Sequence, residues 1–296
     1  MKILLTGGAG GQVGWEVIQQ CKLTQHELVA LALEELDITD ETQVQEILTL
    51  HQPDIVINAA AYTAVDKAED QPEIAFKVNR DGTAYLARTC NNLKIPLLHI
   101  STDYVFDGEK TSPYQVNDKA NPQNVYGASK WEGEQILRQT LNEHIILRTS
   151  WVFGSYGNNF VKTMLKLAET RTELGIVADQ YGAPTSAQSI ASCLLTLCER
   201  YEQNNVLPWG TYHFTGTPKT TWFDFANNIF KQAQNLNILE KQINTNPVTT
   251  QQYPTKAQRP INSQLDMQLT KTQLSISPPS WEDDLSIVLK TIKAKQ

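Results

Sequence analysis

Cysteine, histidine and long apolar runs are sparse in this chain, and each shortage excludes a class of function. Cys21, Cys90, Cys193 and Cys198 form no CxxC and no Cys/His group. They are expected as buried reduced thiols rather than disulfides or metal ligands. His26, His51, His99, His144 and His213 are scattered, with no HxxxH spacing and no acid–His grouping. His99 lies inside an apolar run and reads as a hydrogen-bonded core residue rather than a catalyst. No apolar run is long enough to span a bilayer and no signal peptide precedes the first apolar strand. A cytoplasmic protein is the expectation. Basic residues are also outnumbered, 25 Lys+Arg against 32 Asp+Glu, for a net charge of -7. That balance argues against nucleic acid and anionic membrane as partners, but a small phosphorylated ligand needs only local donors.

What remains is ordinary globular material. At 296 residues, 41% hydrophobic and 19% charged, the chain can build one large α/β domain or two modest ones. Short β-branched or leucine runs alternate with helical periodicity through the first half. Strands are predicted at 2–6, 27–33, 55–57, 97–101 and 145–149. Between them lie a helix through Val13, Val17 and Cys21 and a second through Val44 and Leu48. A long helix runs from Pro72 to about Asn92, and another spans 126–141. Beyond Trp151 the alternation is irregular. Helices are read at 160–169, 186–200, 221–234 (capped by Thr221) and from Trp281, with a strand at 211–215 and a polar loop at 244–260.

Strands separated by helices imply an α/β doubly wound parallel sheet, Rossmann-like, with a smaller C-terminal α/β lobe. Ligands of such sheets bind at the strands' carboxyl ends. There the glycine loop, residues 58–63, 101–106 and 149–154 converge. The loop reads LLTGGAGGQVG (4–14) and offers two frames. Gly7-x-x-Gly10 leaves Val13 at the third position, whereas Gly8, Gly11 and Gly14 complete GxxGxxG. We take the second frame, with Gly7 as a surplus residue, and read it as a dinucleotide site. The chain then divides into a dinucleotide-binding region, 1–150, and a mainly substrate-binding region, 151–296, with some segments returning to the first. The region at the end of the second strand reads Ala30-Leu31-Ala32-Leu33-Glu34-Glu35, with no acid at the expected tip for the ribose and no arginine for a 2′-phosphate. NADH and NADPH therefore both stay open. Asp37 and Ile38 read either as an adenine-side contact or as a helix-capping turn.

Tyr126 and Lys130 are four residues apart, which on a helix places them on one face. A phenol titrates near ~10 in water, and a neighbouring ammonium favours its ionised form. With Ser101-Thr102 at the end of the fourth strand, a hydroxyl, a phenol and a lysine can surround one carbonyl.

This combination resembles the extended short-chain dehydrogenase/reductase family. Longer strings are similar to its dTDP-4-dehydrorhamnose reductases: residues 58–69, STDYVFDG (101–108), NVYGASKWEGE (124–134), RTSWVFG (148–154), NNFVKTML (158–165), DQYGAPT (179–185) and QRPINSQLD (258–266). The resemblance covers essentially the whole chain. It implies NAD(P)H-dependent reduction of the 4-keto group of dTDP-4-dehydro-L-rhamnose, with the nucleotide sugar as the small-molecule partner. Tyr126 would be the proton donor, Lys130 would lower the Tyr126 pKa and hold the nicotinamide ribose, and Thr102 would hydrogen-bond the carbonyl. Gln12, Val13, Ala60 and Ala61 would be cofactor contacts, and Thr63, Val65, Asp103 and Trp151 sugar contacts. An indole face suits a deoxysugar, and that reading of Trp151 is taken over the alternative of a core tryptophan at a strand end. Sugar-nucleotide 4,6-dehydratases follow the STD aspartate with glutamate, whereas Tyr104 stands here, which favours reduction over elimination.

Some relatives form a homodimer bridged by Mg²⁺ through clustered glutamates. Glu16 is present here, but Gln188 stands where an acid is needed, so no metal site is expected and the protein is a monomer or a homodimer. Arg259 is read either as a contact for the substrate diphosphate or as a pin for the 244–260 loop. Asn79 either supports Lys130 through a water or is a buried amide with local partners. A second functional class remains, a non-catalytic NADP-binding regulatory subunit like the β subunit of methionine adenosyltransferase. Trp151 and DQYGAPT favour a working sugar pocket.

Overall fold

Leu4, Leu5, Val56, Ile57, Leu97 and Leu98 are fully buried in successive strands, inward on both faces of the sheet. Strands of that kind require helices on either side. The computed structural model describes residues 1–8 and 10–295, so Ala9 of the glycine loop and Gln296 lie outside the described residues.

The chain begins with β1 (Lys2–Thr6), α1 (Gln12–Cys21), β2 (Glu27–Leu31), α2 (Glu41–His51) and β3 (Ile55–Asn58). Short helix α3 (Val65–Ala68) precedes the long helix, which is interrupted: α4 (Pro72–Phe76), a π-helical turn (Lys77–Gly82), then α5 (Thr83–Leu93). Next come β4 (Leu97–Thr102), α6 (Val125–Thr140), β5 (His144–Thr149), β6 (Val152–Phe153), α7 (Phe160–Thr170) and β7 (Glu173–Val177). Two short strands, β8 (Tyr181–Gly182) and β9 (Thr185–Ser186), lead into α8 (Ala187–Asn204) and β10 (Gly210–His213). The chain ends with β11 (Thr220–Thr221), α9 (Trp222–Asn235), β12 (Asn244–Val248), α10 (Gln268–Leu274) and α11 (Trp281–Lys293).

The central sheet has six strands in the order β10-β5-β4-β3-β1-β2, and every pair is parallel. The order reverses between β1 and β3, which opens a crevice at their carboxyl ends. One core joins the sheet to α1, α8 and Tyr212 of β10; a second, of Phe153, Val161, Phe225, Ile229, Trp281 and Leu285, is built from α7, α9 and α11. No helix among the described residues is long and apolar enough to cross a membrane.

Some boundaries differ from the sequence reading for local reasons. The second strand stops at Leu31, and Leu33 beyond it is exposed. The polar 244–260 stretch contains β12, paired in parallel with β7 outside the main sheet, where no apolar alternation is demanded and Pro247 is tolerated. The π turn has a use: it brings Asn79 inward, where its Oδ1 accepts from Tyr62 N (2.9 Å) and its Nδ2 donates to Tyr62 O (3.1 Å) and Ser129 Oγ (3.0 Å). Asn79 is thus a buried amide with local partners.

The largest revision concerns the glycine loop. Gly7 has φ 69°, in the left-handed region, and a Cβ there would stand 2.7 Å from the backbone of Ala60. Far from surplus, it makes the turn that packs the loop against the segment after β3. Gly14 is also required, since a Cβ there would collide with the carbonyl oxygens of Gly8 and Gly7. Gly7→Ala is therefore expected to destabilise the protein by about 1–3 kcal/mol in urea unfolding, through overpacking and an unfavourable φ. Gly10→Ala, with nothing within 4 Å of the added atom, should be nearly silent, and equal losses for the two would refute this account.

Candidate active site

Because β5, β4, β3 and β1 are neighbours, the loops leaving their carboxyl ends share one rim of the sheet. On the β1 side, α1 starts after Gly11 with no side-chain cap and no acidic residue in its first turn. A Cβ at Gly11 would meet only Gly7 O, at 3.5 Å. Unclaimed N–H groups at a helix start, approachable through glycine, suit a pyrophosphate. Gln12 is oriented by Asn159, the cap of α7, whose Nδ2 donates to its Oε1 (2.9 Å), and Val13 is buried. Gly8 N donates to Leu31 O (3.0 Å), tying the loop to β2. Asp37 accepts from Thr39 N (2.9 Å) and closes a turn, while Asp40 caps α2 and Ile38 is buried.

On the β4 side, Asn124 caps α6 by accepting from Gly127 N (2.8 Å), which sets Tyr126 on the first turn and Lys130 on the next. Lys130 is 1% exposed, and its Nζ donates to Ile100 O (2.7 Å) and lies 3.2 Å from His99 Nε2. His99 Nδ1 faces Asn58 Nδ2 at 3.0 Å. Asn58 Oδ1 in turn accepts from Thr6 Oγ1 (2.7 Å) and Ala60 N (3.1 Å). A buried polar line thus runs from β1 through β3 and β4 to the lysine of α6, holding Ala60 beside the glycine loop. Burial, reinforced by the Lys130 charge, keeps His99 well below the usual imidazole range.

Burial also draws Lys130 down to about 8. It pushes the Tyr126 phenol up from its ordinary value, against a hydrogen bond with Thr102. The sequence reading had the lysine lowering the phenol; here its Nζ donates to Ile100 O, and desolvation dominates at the phenol. A phenol held above its ordinary value keeps its proton at neutral pH, the form a proton donor needs. Thr102 Oγ1 donates to Asp103 Oδ1 (3.0 Å) and accepts from Tyr104 N (3.2 Å). Asp103 is buried, raised to about 6 by desolvation, and its Oδ2 has no partner among the described residues.

The C-terminal half closes over this group. Tyr104 meets Tyr126 edge-on at 5.6 Å, and its hydroxyl, raised to about 12 by burial, is opposed by Arg259. Arg259 donates to Asp66 Oδ2 (2.8 Å) and Ala257 N to Asp66 Oδ1 (3.1 Å), so the arginine pins its loop to α3. Thr63 is exposed just before α3, and Val65 begins it. Trp151, after β5, is partly exposed and stacks on Trp222 with ring centroids 3.6 Å apart. The four cysteines are buried and free, and burial raises the thiols of Cys90, Cys193 and Cys198.

Glu16 is 8% exposed with its carboxyl raised by burial, and the backbone oxygen of Gln188 accepts from Gln20 Nε2 (2.9 Å). Among the described residues no group of three or more His, Cys, Asp or Glu is placed to hold a metal ion.

Sequence reasoning missed the Asn58–His99–Lys130 line, Trp222, Asn159 and the support beneath the site. Asn58 and Asn159 lay inside strings that were singled out, but nothing in one sequence says whom they touch. The support is an ion cluster: buried Glu134 of α6 accepts from Ser101 Oγ (2.5 Å), Arg148 Nη2 (2.7 Å) and Arg138 Nη2 (2.6 Å). It fixes the helix carrying Tyr126 and Lys130 to β4 and β5.

A doubly wound dinucleotide-binding sheet with Thr, Tyr and Lys gathered at the β4 rim defines an extended short-chain dehydrogenase/reductase. The comparisons narrow this. The family model described as the RmlD substrate binding domain matches residues 1–294. The dTDP-4-dehydrorhamnose reductase of Aggregatibacter actinomycetemcomitans is 45% identical over 295 residues, 99% of each chain. Among solved structures, the dTDP-4-dehydrorhamnose reductase from Clostridium acetobutylicum superposes with a TM-score of 0.92 at 36% identity, covering 99% of this chain and 100% of that one. The Bacillus anthracis enzyme, in complex with NADP, gives 0.90 at 35% identity and 98% of each. The chain belongs to the dTDP-4-dehydrorhamnose reductase (RmlD) family.

Glu134→Gln leaves two arginines facing a neutral amide and is expected to cost about 3–5 kcal/mol in chemical unfolding. The arginines hold the Glu134 carboxyl below its ordinary value, so its contribution is complete above the unfolded pKa and lost as pH falls through the folded one. The variant's acid limb should accordingly be flatter than that of the parent, and matching limbs would remove Glu134 from the stability of the site.

Proposed function

We propose that this protein is an NAD(P)H-dependent sugar-nucleotide 4-ketoreductase that converts dTDP-4-dehydro-L-rhamnose to dTDP-L-rhamnose. The observation that carries the reading is the grouping of Tyr126, Thr102 and Lys130 at the rim beside the glycine loop, with Tyr104 where elimination would need a carboxylate. The nicotinamide, when bound, supplies hydride from its C4. Gly8, Gly11, Gln12, Val13, Gly14, Ala60 and Ala61 line its side of the crevice, with Asp37 and Ile38 toward the adenosine end and Lys130 at the ribose. Thr102 hydrogen-bonds the C4 carbonyl and Tyr126 gives its proton to the oxygen as charge develops there. Thr63, Val65, Asp103 and Trp151 hold the sugar. Functionally, residues 1–150 with α8 and β10 serve the dinucleotide and most of 151–296 serves the substrate. A cytoplasmic location and a monomeric or homodimeric state belong to the same proposal.

The test is loss of NADH or NADPH absorbance with enzymatically generated dTDP-4-dehydro-L-rhamnose and no partner protein. Tyr126→Phe should lower kcat by about two to four orders of magnitude with cofactor binding retained. Near-normal turnover of that variant would sink the assigned role. A flat trace from folded, cofactor-loaded parent protein would favour a regulatory subunit instead. Turnover should also decline as pH rises through about 8, where Lys130 loses its proton. A profile flat across that range would mean that the lysine charge does not matter to the rate.

A further inference from the structure

Trp151 adopts φ 50°, a conformation that a bulky aromatic residue holds only under external constraint. The constraint has two jaws. The indole of Trp222 lies parallel to that of Trp151, 11° from coplanar, and is backed by Phe160 at 4.6 Å. On the other jaw, a Cβ on Gly182 would stand 2.7 Å from Trp151 Cζ2 and 2.8 Å from Nε1, and would press on Cε2. Both jaws come from one ribbon. In the antiparallel β8–β11 pair Gly182 faces Thr220, and Thr221 ends β11 and caps α9, accepting from Asp224 N (3.0 Å). Trp222 is the first residue of that helix. The glycine in DQYGAPT therefore leaves room for the Trp151 indole, and β11 sets where the second indole stands.

We propose that Trp222 and Gly182 are positioning residues for the sugar pocket, acting through Trp151, whose indole they hold in a single orientation. The inference rests on the reading of Trp151 as a wall of the sugar site. A side chain free to rotate at that position would have to be ordered each time a substrate binds, which weakens ground-state binding of the sugar and leaves the dinucleotide crevice unaffected.

Four variants of the full-length protein test this, with separate KM values for dTDP-4-dehydro-L-rhamnose and for the reduced dinucleotide. Trp222→Ala should raise the sugar KM about three- to tenfold, the worth of one stacked aromatic pair, with the dinucleotide KM unchanged. Trp222→Phe should recover much of the loss. Gly182→Ala, which moves Trp151 without removing it, should raise the sugar KM in the same direction. The face-to-face indoles should also give a coupled tryptophan circular-dichroism signal that disappears in Trp222→Ala. Trp151→Ala separates the two layers of argument: an unchanged sugar KM in that variant defeats the sugar-wall reading itself. A raised sugar KM in Trp151→Ala beside an unchanged one in Trp222→Ala overturns the clamp alone. So does a Trp222→Ala variant in which both KM values rise together, because that marks general loosening of the fold.

Discussion

The site depends on a line of buried polar groups whose partners are one another and two backbone groups, the Ala60 N–H and the Ile100 carbonyl. Thr6, Asn58, His99 and Lys130 are each at most 1% exposed and come from β1, β3, β4 and α6. In an apolar sheet interior a donor or acceptor left without a partner costs about 1–3 kcal/mol. Sliding any one strand breaks the line and leaves at least two such groups. The requirement therefore fixes the register of three strands and the roll of one helix at once. Its direction is also determined: Asn58 Oδ1 is taken by Thr6 Oγ1 and the Ala60 N–H, so the amide must present Nδ2 to His99. The glycine-loop side and the Tyr126 side of the rim are thereby held in a common frame.

A second buried group reinforces the first. Glu134 lies one turn beyond Lys130 and ties α6 to Ser101 of β4 and Arg148 of β5. Ser101 and Thr102 are adjacent, so the residue that touches Tyr126 is itself flanked by an anchored serine. Lys130 sits at about 8 because its surroundings are dry, and the Tyr126 phenol is raised for the same reason. Rigidity and shifted acidity share one cause, burial of polar groups in a sheet whose other residues are apolar.

The order of the strands and helices could be read from periodicity, since parallel strands covered on both faces must be apolar and their crossovers amphipathic. The Tyr126–Lys130 pair was legible because a helix repeats nearly every four residues. The frame of the glycine loop was not. Gly8, Gly11 and Gly14 fit the pattern by spacing, yet the demand on Gly7 comes from Ala60, more than fifty residues away. Trp222 was invisible for the same reason, since its partner Trp151 lies after β5, far away in sequence, and no local pattern marks the stack. The π turn at residues 77–82 escaped because it leaves the apolar spacing of the surrounding helix almost intact and shows only in where Asn79 points. Periodicity reports which face an element buries; the partner of one polar or aromatic side chain is settled only by tertiary packing.

That distinction bears on why the site suits reduction. Asp103 and Tyr104 occupy positions where two carboxylates would supply an acid and a base for loss of water. Desolvation raises Asp103 to about 6 even with the Thr102 hydroxyl as a hydrogen-bond partner. A second carboxylate beside it would have to be desolvated in the same place and would repel it. The tyrosine adds an aromatic edge against Tyr126 instead, and its hydroxyl meets Arg259, whose charge is balanced by Asp66. Replacing Tyr104 by an acid would therefore not be enough to build an eliminating site. The arginine that would stabilise the new charge is already engaged in pinning the 244–260 segment to α3. An eliminating site would thus need a change in the contact between the C-terminal loop and the sheet rim as well as at residue 104.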